Sequence, residues 1–175
     1  MNLTTTSPDR QQPEVALRHD PEPGDLGTIV QLHGTVYACE YGFDTTFEAY
    51  VAGPLGEFVQ TRTQRDRLWI AELGERIVGC IAIVGASANE AQLRWFLVDP
   101  SARGLGLGTR LLQEAVAFGR SRAYDSVFLW TVSALKAAAK LYRSAGFEWV
   151  EQKSGRQWGV DLTEERYLLR LANAG

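Results

Sequence analysis

Val98-Asp99-Pro100-Ser101-Ala102-Arg103-Gly104-Leu105-Gly106-Leu107-Gly108-Thr109-Arg110-Leu111-Leu112 is the stretch on which the reading of this chain turns. An apolar strand, Leu93 to Val98, runs into a proline turn. An arginine and three alternate glycines follow and open into an amphipathic helix. Alternate glycines leave little side-chain bulk between backbone N–H groups and a ligand, and the helix start adds unpaired donors and the positive end of its dipole. Such a turn suits an anionic, usually phosphate-bearing, group.

Spacing narrows the choice. A dinucleotide fingerprint needs G-x-G-x-x-G with an acidic residue downstream at the next strand, and the spacing here is G-x-G-x-G. A Walker-type loop ends in Gly-Lys-Ser/Thr, which this segment lacks. A glycine-rich turn that binds nothing is the structural alternative. Arg103, at the head of the loop and placed to pair with phosphate oxygens, weighs against it.

The run Arg103-Gly104-Leu105-Gly106-Leu107-Gly108 resembles the R/Q-x-x-G-x-G/A signature of the GNAT superfamily, the acyl-CoA-dependent N-acyltransferases. Arg103, Gly106 and Gly108 fall on its fixed positions. The preceding strand and Val98-Asp99-Pro100 resemble that family too. The later run Ala139-Lys140-Leu141-Tyr142-Arg143-Ser144-Ala145-Gly146-Phe147 is similar to its L-Y-x-x-x-G-F helix and turn. The resemblance covers roughly Val15 to Leu171. Through the HGTVYACEYGFD and RWFLVDP stretches it is greatest to acetyltransferase domains that also occur fused behind a helix-turn-helix regulator. The segment before the domain is too short to hold such a regulator, so a domain without one is expected.

The length suits one well-cored domain and is short for two. Residues 1–13 are polar and rich in Thr, Ser, Pro and Gln, which reads as a disordered tail, with 14–175 a single acetyltransferase domain. A composition of 45% hydrophobic and 22% charged residues with net charge -3 gives no basic surface for nucleic acid. No apolar run approaches a membrane span. Cys39 and Cys80 lack any C-x-x-C or staple pattern, so a reduced, cytoplasmic protein is expected. His19 and His33 lack metal-ligand spacing, and no metal site is expected.

Periodicity places the elements. Val15 to Arg18 alternates as a strand. Asp25 offers an N-cap for a helix whose apolar positions Leu26, Ile29, Val30, His33, Val36, Tyr37 and Tyr41 recur at helical spacing up to Gly42. Asp44 or Thr45 caps a second helix through Val59. Arg67–Leu73 and Ile77–Val84 flank a hairpin turn, and Leu93–Val98 is the central strand. After the glycine loop comes a helix to about Arg122, with Leu107, Leu111, Leu112, Ala115 and Val116 inward. Val127–Val132 is the next strand. Ser133 caps a helix to Ser144 that ends on Gly146. Phe147–Gln152 and Arg166–Leu171 are the last strands, with Gly155–Thr163 a loop between them. The order β-α-α-β-β-β-α-β-α-β-β predicts an α/β fold. Like the GNAT fold it has a mixed, mostly antiparallel central sheet with helices on both faces.

The resemblance implies an acetyl-CoA-dependent N-acetyltransferase. The acetyl group would pass directly to an amine of a small molecule or protein in a ternary complex; the alternative is a catalytically weak CoA-binding sensor or interaction module. It implies a donor site built on the N–H groups of Arg103, Gly104, Leu105, Gly106, Leu107, Gly108 and Thr109 for the pyrophosphate. Phe96, Leu97 and Val98 would supply a splayed strand edge for the pantetheine amides. Ser133 and Ala138 would add contacts from the later helix. Many members carry an Asn seven residues before the motif Tyr, where this chain has Leu135, so that contact is either lost or taken over by Ser133 or Lys136. Tyr142 matches the Tyr that protonates the departing thiolate, which a phenol can do. Dimers are common in the family, so a homodimer is compatible with the reading.

The acceptor side stays open. Glu40, a candidate base or a solvated helix charge, shares a helix face with Tyr37 and with His33, itself a pocket residue or a packed histidine. Arg94 and Trp95 alternate, so one of them points toward the cleft; Arg94 there would favour an acceptor carrying a carboxylate. Trp130 is either core or pocket wall. No Ser-centred nucleophile elbow is present.

Overall fold

The computed structural model describes residues 14–171, so the reading of 1–13 as a tail falls outside the described residues. Seven strands and four helices follow the expected order: β1 Val15–Arg18, α1 Asp25–Tyr41, α2 Thr45–Thr61, β2 Arg67–Leu73, β3 Arg76–Gly85, β4 Glu90–Val98, α3 Leu107–Ser121, β5 Ser126–Val132, α4 Lys136–Ser144, β6 Glu148–Gln157 and β7 Val160–Arg170. The sheet runs β1-β2-β3-β4-β5-β7-β6, and β4–β5 is its one parallel pair. The mixed, mostly antiparallel α/β sheet is as expected.

Burial follows sheet position. β3 sits inside the sheet with helices on both faces and is buried at seven consecutive positions, so it reads as an unbroken apolar run. β4 alternates buried and half-buried residues. One core lies under α3 and α4 and includes Leu107, Leu111, Leu112, Ala115 and Val116, all five predicted to face inward. Truncating a buried leucine such as Leu111 there costs about 2–5 kcal/mol. The other core lies under α1 and α2, around Ile29, Val51, Leu55 and Leu68. Gly34 lets those two helices cross closely; a Cβ there would overlap the Glu48 side chain.

Several local expectations are corrected. Asp25 is the first residue of α1 and not its cap, because its carboxylate is taken by the Arg18 guanidinium and the Glu22 N–H. Ser133 does not cap α4. Its N–H bonds the Thr163 carbonyl, and the helix starts later, after Leu135. Gly155–Thr163 is no loop: β6 and β7 pair through to Gln157 and Val160 and turn on Trp158-Gly159, both at positive φ (50° and 81°). That is the backbone of a tight two-residue hairpin turn. Every residue of β6 is exposed, so no apolar alternation carries the strand read at Phe147–Gln152 on to Gln157. Gly146 does close α4 as expected, with the Phe147 N–H bonding the Tyr142 carbonyl and the Gly146 N–H bonding that of Arg143.

Candidate active site

The β4–β5 ladder holds only from Glu90–Gln92 to Ser126–Phe128. Beyond it the two strands separate, while β4 stays paired with β3 as far as Val98. The outer edge of Phe96, Leu97 and Val98 therefore faces an opening. A cleft of about 510 Å³ fills it, walled by those three residues, by the end of α1, by the glycine loop and by α4.

The loop's glycines divide their work. Gly104 and Gly106 have φ of 79° and 74°, a conformation that strains other residues. Gly108 is in helical conformation, but a Cβ there would lie 3.1 Å from Leu141 Cδ1, so it lets α3 start against α4. The first bond of α3 runs from the Arg110 N–H to the Gly106 carbonyl. The N–H groups of Leu107, Gly108 and Thr109 thus precede the helical ladder. Arg103, Gly104, Gly106, Leu107, Gly108 and Thr109 all line the cleft, as does Ala138 on α4. Leu105 points to solvent at 59% exposure, and neither it nor Ser133 forms part of the wall.

Arg103 and Glu40 meet. The guanidinium grips the Glu40 carboxylate with both nitrogens, at 2.7 and 3.2 Å, and its Nε bonds the Val98 carbonyl at 3.3 Å. Bonding to Glu40 holds the Arg103 pKa above its ordinary value, burial opposing only in part. The residue read as a phosphate partner and the residue read as a candidate base are therefore bound to one another, and Glu40 lines this cleft alone. An ion pair this exposed contributes little stability, about 0–1 kcal/mol.

A second pocket, about 100 Å³, lies behind the first, between β4, β5, α1, α2 and the β6–β7 turn. Tyr37, Phe96 and Leu135 belong to the walls of both. Tyr142, at 5% exposure, lines the second pocket from α4. Burial pushes its phenol above the ordinary value, and the hydroxyls of Tyr37 and Tyr167 push the same way. No described residue hydrogen-bonds that hydroxyl. Tyr37 is likewise raised by burial. Two phenols kept protonated by burial thus line the second pocket, and Tyr37 lines the first as well.

The second pocket is mostly aromatic. Trp158, at the β6–β7 turn, packs on Phe43, Phe47 and Tyr50 with centroids 5.1, 4.9 and 5.1 Å away, and its carbonyl accepts from the Asp44 N–H. The turn is thereby fastened over the junction of α1 and α2. Trp95 breaks the expected alternation on β4. Its φ is 47° and the β3–β4 register slips beside it, so Arg94 and Trp95 both reach the pocket where one had been expected. The Arg94 guanidinium stacks 4.8 Å from the Trp95 ring and has no carboxylate partner among the described residues. Trp130 is pocket wall, with Lys153 Nζ 4.4 Å from its ring centroid.

His33 lines the pocket as a neutral ring. At 3% exposure its pKa is pushed down to about 4 by burial, and Nδ1 donates to the Ile29 carbonyl at 2.8 Å. One buried carboxylate also lines the pocket. Glu164, 7% exposed, has Oε2 held by Lys153 and Gln157, both at 3.2 Å, while Oε1 has no partner among the described residues. Glu164, Phe43, Phe47, Tyr50 and Trp158 escaped the sequence reading. The only local signal was a tryptophan beside Gly159 in a polar stretch. Neither cysteine lines either pocket, and burial pushes the Cys80 thiol up to about 12. No cluster of three potential metal ligands occurs among the described residues, and no described helix is long and apolar enough to cross a membrane.

Residues 33–147 match the family model described as the acetyltransferase (GNAT) family. The chain is 38% identical over 85 residues to the Xenopus laevis protein named Probable N-acetyltransferase camello, covering 46% of this chain and 37% of that one. It is 28% identical over 123 residues to an uncharacterized N-acetyltransferase of Schizosaccharomyces pombe, covering 66% and 72%. The chain therefore spans little more than a third of the first of these curated relatives. A Salmonella typhimurium protein solved with its cofactor acetyl-CoA superposes with TM-score 0.74 at 16% identity, over 92% of this chain and 96% of that one. At that identity the likeness is one of fold.

Proposed function

The chain belongs to the acetyltransferase (GNAT) family, and from that premise we propose that it moves an acetyl group from acetyl-CoA directly to a small amine in a ternary complex. The observation that carries the reading is the phenol of Tyr142, 5% exposed and kept protonated by burial, in the wall of the second pocket beside Phe96, which lines both pockets.

The 510 Å³ cleft fits the donor. Free N–H groups of Leu107, Gly108 and Thr109 at the start of α3 face where a pyrophosphate would lie, and its phosphates compete with Glu40 for Arg103. The unpaired edge of Phe96–Val98 suits the pantetheine amides, and Leu141 and Ala138 suit its apolar parts. The donor supplies an activated acyl carbon as a thioester.

Residues of the second pocket then present the amine. Its nitrogen bonds the acyl carbon, the carbon–sulfur bond breaks, and the nitrogen gives up one proton as the sulfur gains one. Tyr142 delivers the sulfur's proton, and the proton shed by nitrogen restores the phenol, so the exchange balances. Burial that raises the phenol raises a thiolate in the same dry place, which keeps the transfer close to matched.

Calorimetric titration with acetyl-CoA and a thiol-release assay over an amine panel test this. Acetyl-CoA binding with amine-dependent release is expected. Binding without release on any amine would overturn transfer in favour of a CoA-binding sensor.

A further inference from the structure

The second pocket carries charges of both signs in an aromatic shell. Arg94 is half-buried, stacked on Trp95 and without a carboxylate partner among the described residues, and Glu164, whose Oε1 has no partner among them, lines the same space. Trp130, Trp158, Phe43 and Phe47 line the same pocket. A half-buried guanidinium without an anion is open to a ligand that supplies one, and its planar fork suits a carboxylate. A carboxylate with one free oxygen among aromatic faces suits an ammonium. Arg94 disfavours a polycationic acceptor, because a second ammonium would lie beside it. The narrow volume admits one side-chain-sized body rather than a long chain.

We propose that the acceptor is a small amino carboxylate with a flat apolar body, of the aromatic amino acid class. Its carboxylate lies on Arg94, its ammonium approaches Glu164 Oε1, and its ring packs in the aromatic shell. The amine reaches the acyl carbon as the free base after losing a proton to Glu164 or to water. This inference rests on the transferase reading above.

The test compares phenylalanine and tryptophan with phenethylamine and tryptamine, which lack only the carboxylate, and with spermidine, in thiol release by the whole protein with acetyl-CoA. The amino acids are expected to show kcat/KM at least about tenfold above the matching amines. Arg94→Gln should erase that preference, lowering the amino acid about tenfold or more and phenethylamine much less. Glu164→Gln should raise KM for both kinds of amine. Equal or faster reaction of phenethylamine or spermidine in the unaltered protein overturns the proposal and leaves the transferase reading standing. So does an equal loss on all amines in Arg94→Gln.

If acetyl-CoA binds and no amine turns over, the transferase reading fails, and the pocket is read by the fluorescence of Trp95, Trp130 and Trp158 instead. A saturable change with phenylalanine that Arg94→Gln abolishes supports the assignment. No change with phenylalanine overturns it.

Discussion

The cleft proposed for the donor and the pocket proposed for the acceptor share Tyr37, Phe96 and Leu135 yet are built from different material. The cleft is largely main chain: a helix start, a splayed strand edge, and glycines or alanines that keep side chains out of the way. The pocket is almost wholly side chain, drawn from α1, α2, β4, β5 and the β6–β7 hairpin. On the proposed reading, a surface of backbone donors serves what every acyl-CoA shares, a pyrophosphate and an amide arm. A surface of side chains can be rebuilt residue by residue, so it is where choice of acceptor belongs.

Tyr142, in the wall of the second pocket, is the residue proposed to act in the transfer itself, so its loss should have the largest effect. Tyr142→Phe is expected to lower kcat by about a hundredfold or more, with the acetyl-CoA Kd unchanged by calorimetry. A parallel loss of binding would make Tyr142 a wall of the donor cleft and not the acid.

The next test probes the dryness of the acceptor side. His33 is held neutral, its pKa pushed down to about 4 from 6.5 by burial. As pH falls, the unfolded chain takes up that proton below about 6.5, and the folded chain does so only near 4. The contribution of His33 to stability is therefore whole above pH 6.5 and drains away from there toward pH 4. Urea unfolding at pH 7.5 and pH 5 should show about 2 kcal/mol of this loss in the unaltered protein that His33→Gln lacks. Parallel pH curves would mean that the ring is hydrated.

Two substitutions sharpen the donor side. Gly106→Ala forces a Cβ onto a φ of 74° at the head of α3. It should cost about 1–2 kcal/mol in urea unfolding and raise the acetyl-CoA Kd several-fold, leaving the acceptor KM alone. Smaller still, Glu40→Gln frees Arg103 from its carboxylate. The acetyl-CoA Kd should tighten about two- to fivefold at low salt and less at high salt, with the unfolding midpoint unchanged. Weaker binding would show that Glu40 orients Arg103 rather than competing for it.

Legibility followed the same division. The glycine loop, the Gly42 and Gly146 helix ends and the turn between β2 and β3 were readable because each imposes a backbone demand met by a residue in place. Asp44 was one of two residues named for the α2 cap, and it does the capping by accepting from the Thr46 N–H. The Ser133 cap was misread because an N-cap residue type also occurs where a strand's own pairing takes the N–H, here by Thr163. The last two strands are legible, but their extension into a tight hairpin at Trp158-Gly159 is not, because β6 has no buried face. Arg94 was named, but its neighbour's turn into the same pocket depends on a register slip against β3 that no local pattern records.

The amino-acid sequence alone determined the order of elements, the sheet class, and the glycine-rich turn that opens α3. Those properties depend on conformational and capping preferences that act within a few residues. Only the tertiary structure decided that Glu40 closes on Arg103, that Trp158 reaches back over the start of α2, and that Glu164 and Arg94 look into one aromatic pocket. These partners lie far apart along the chain, and it is sheet register and helix packing that bring them within reach of one another.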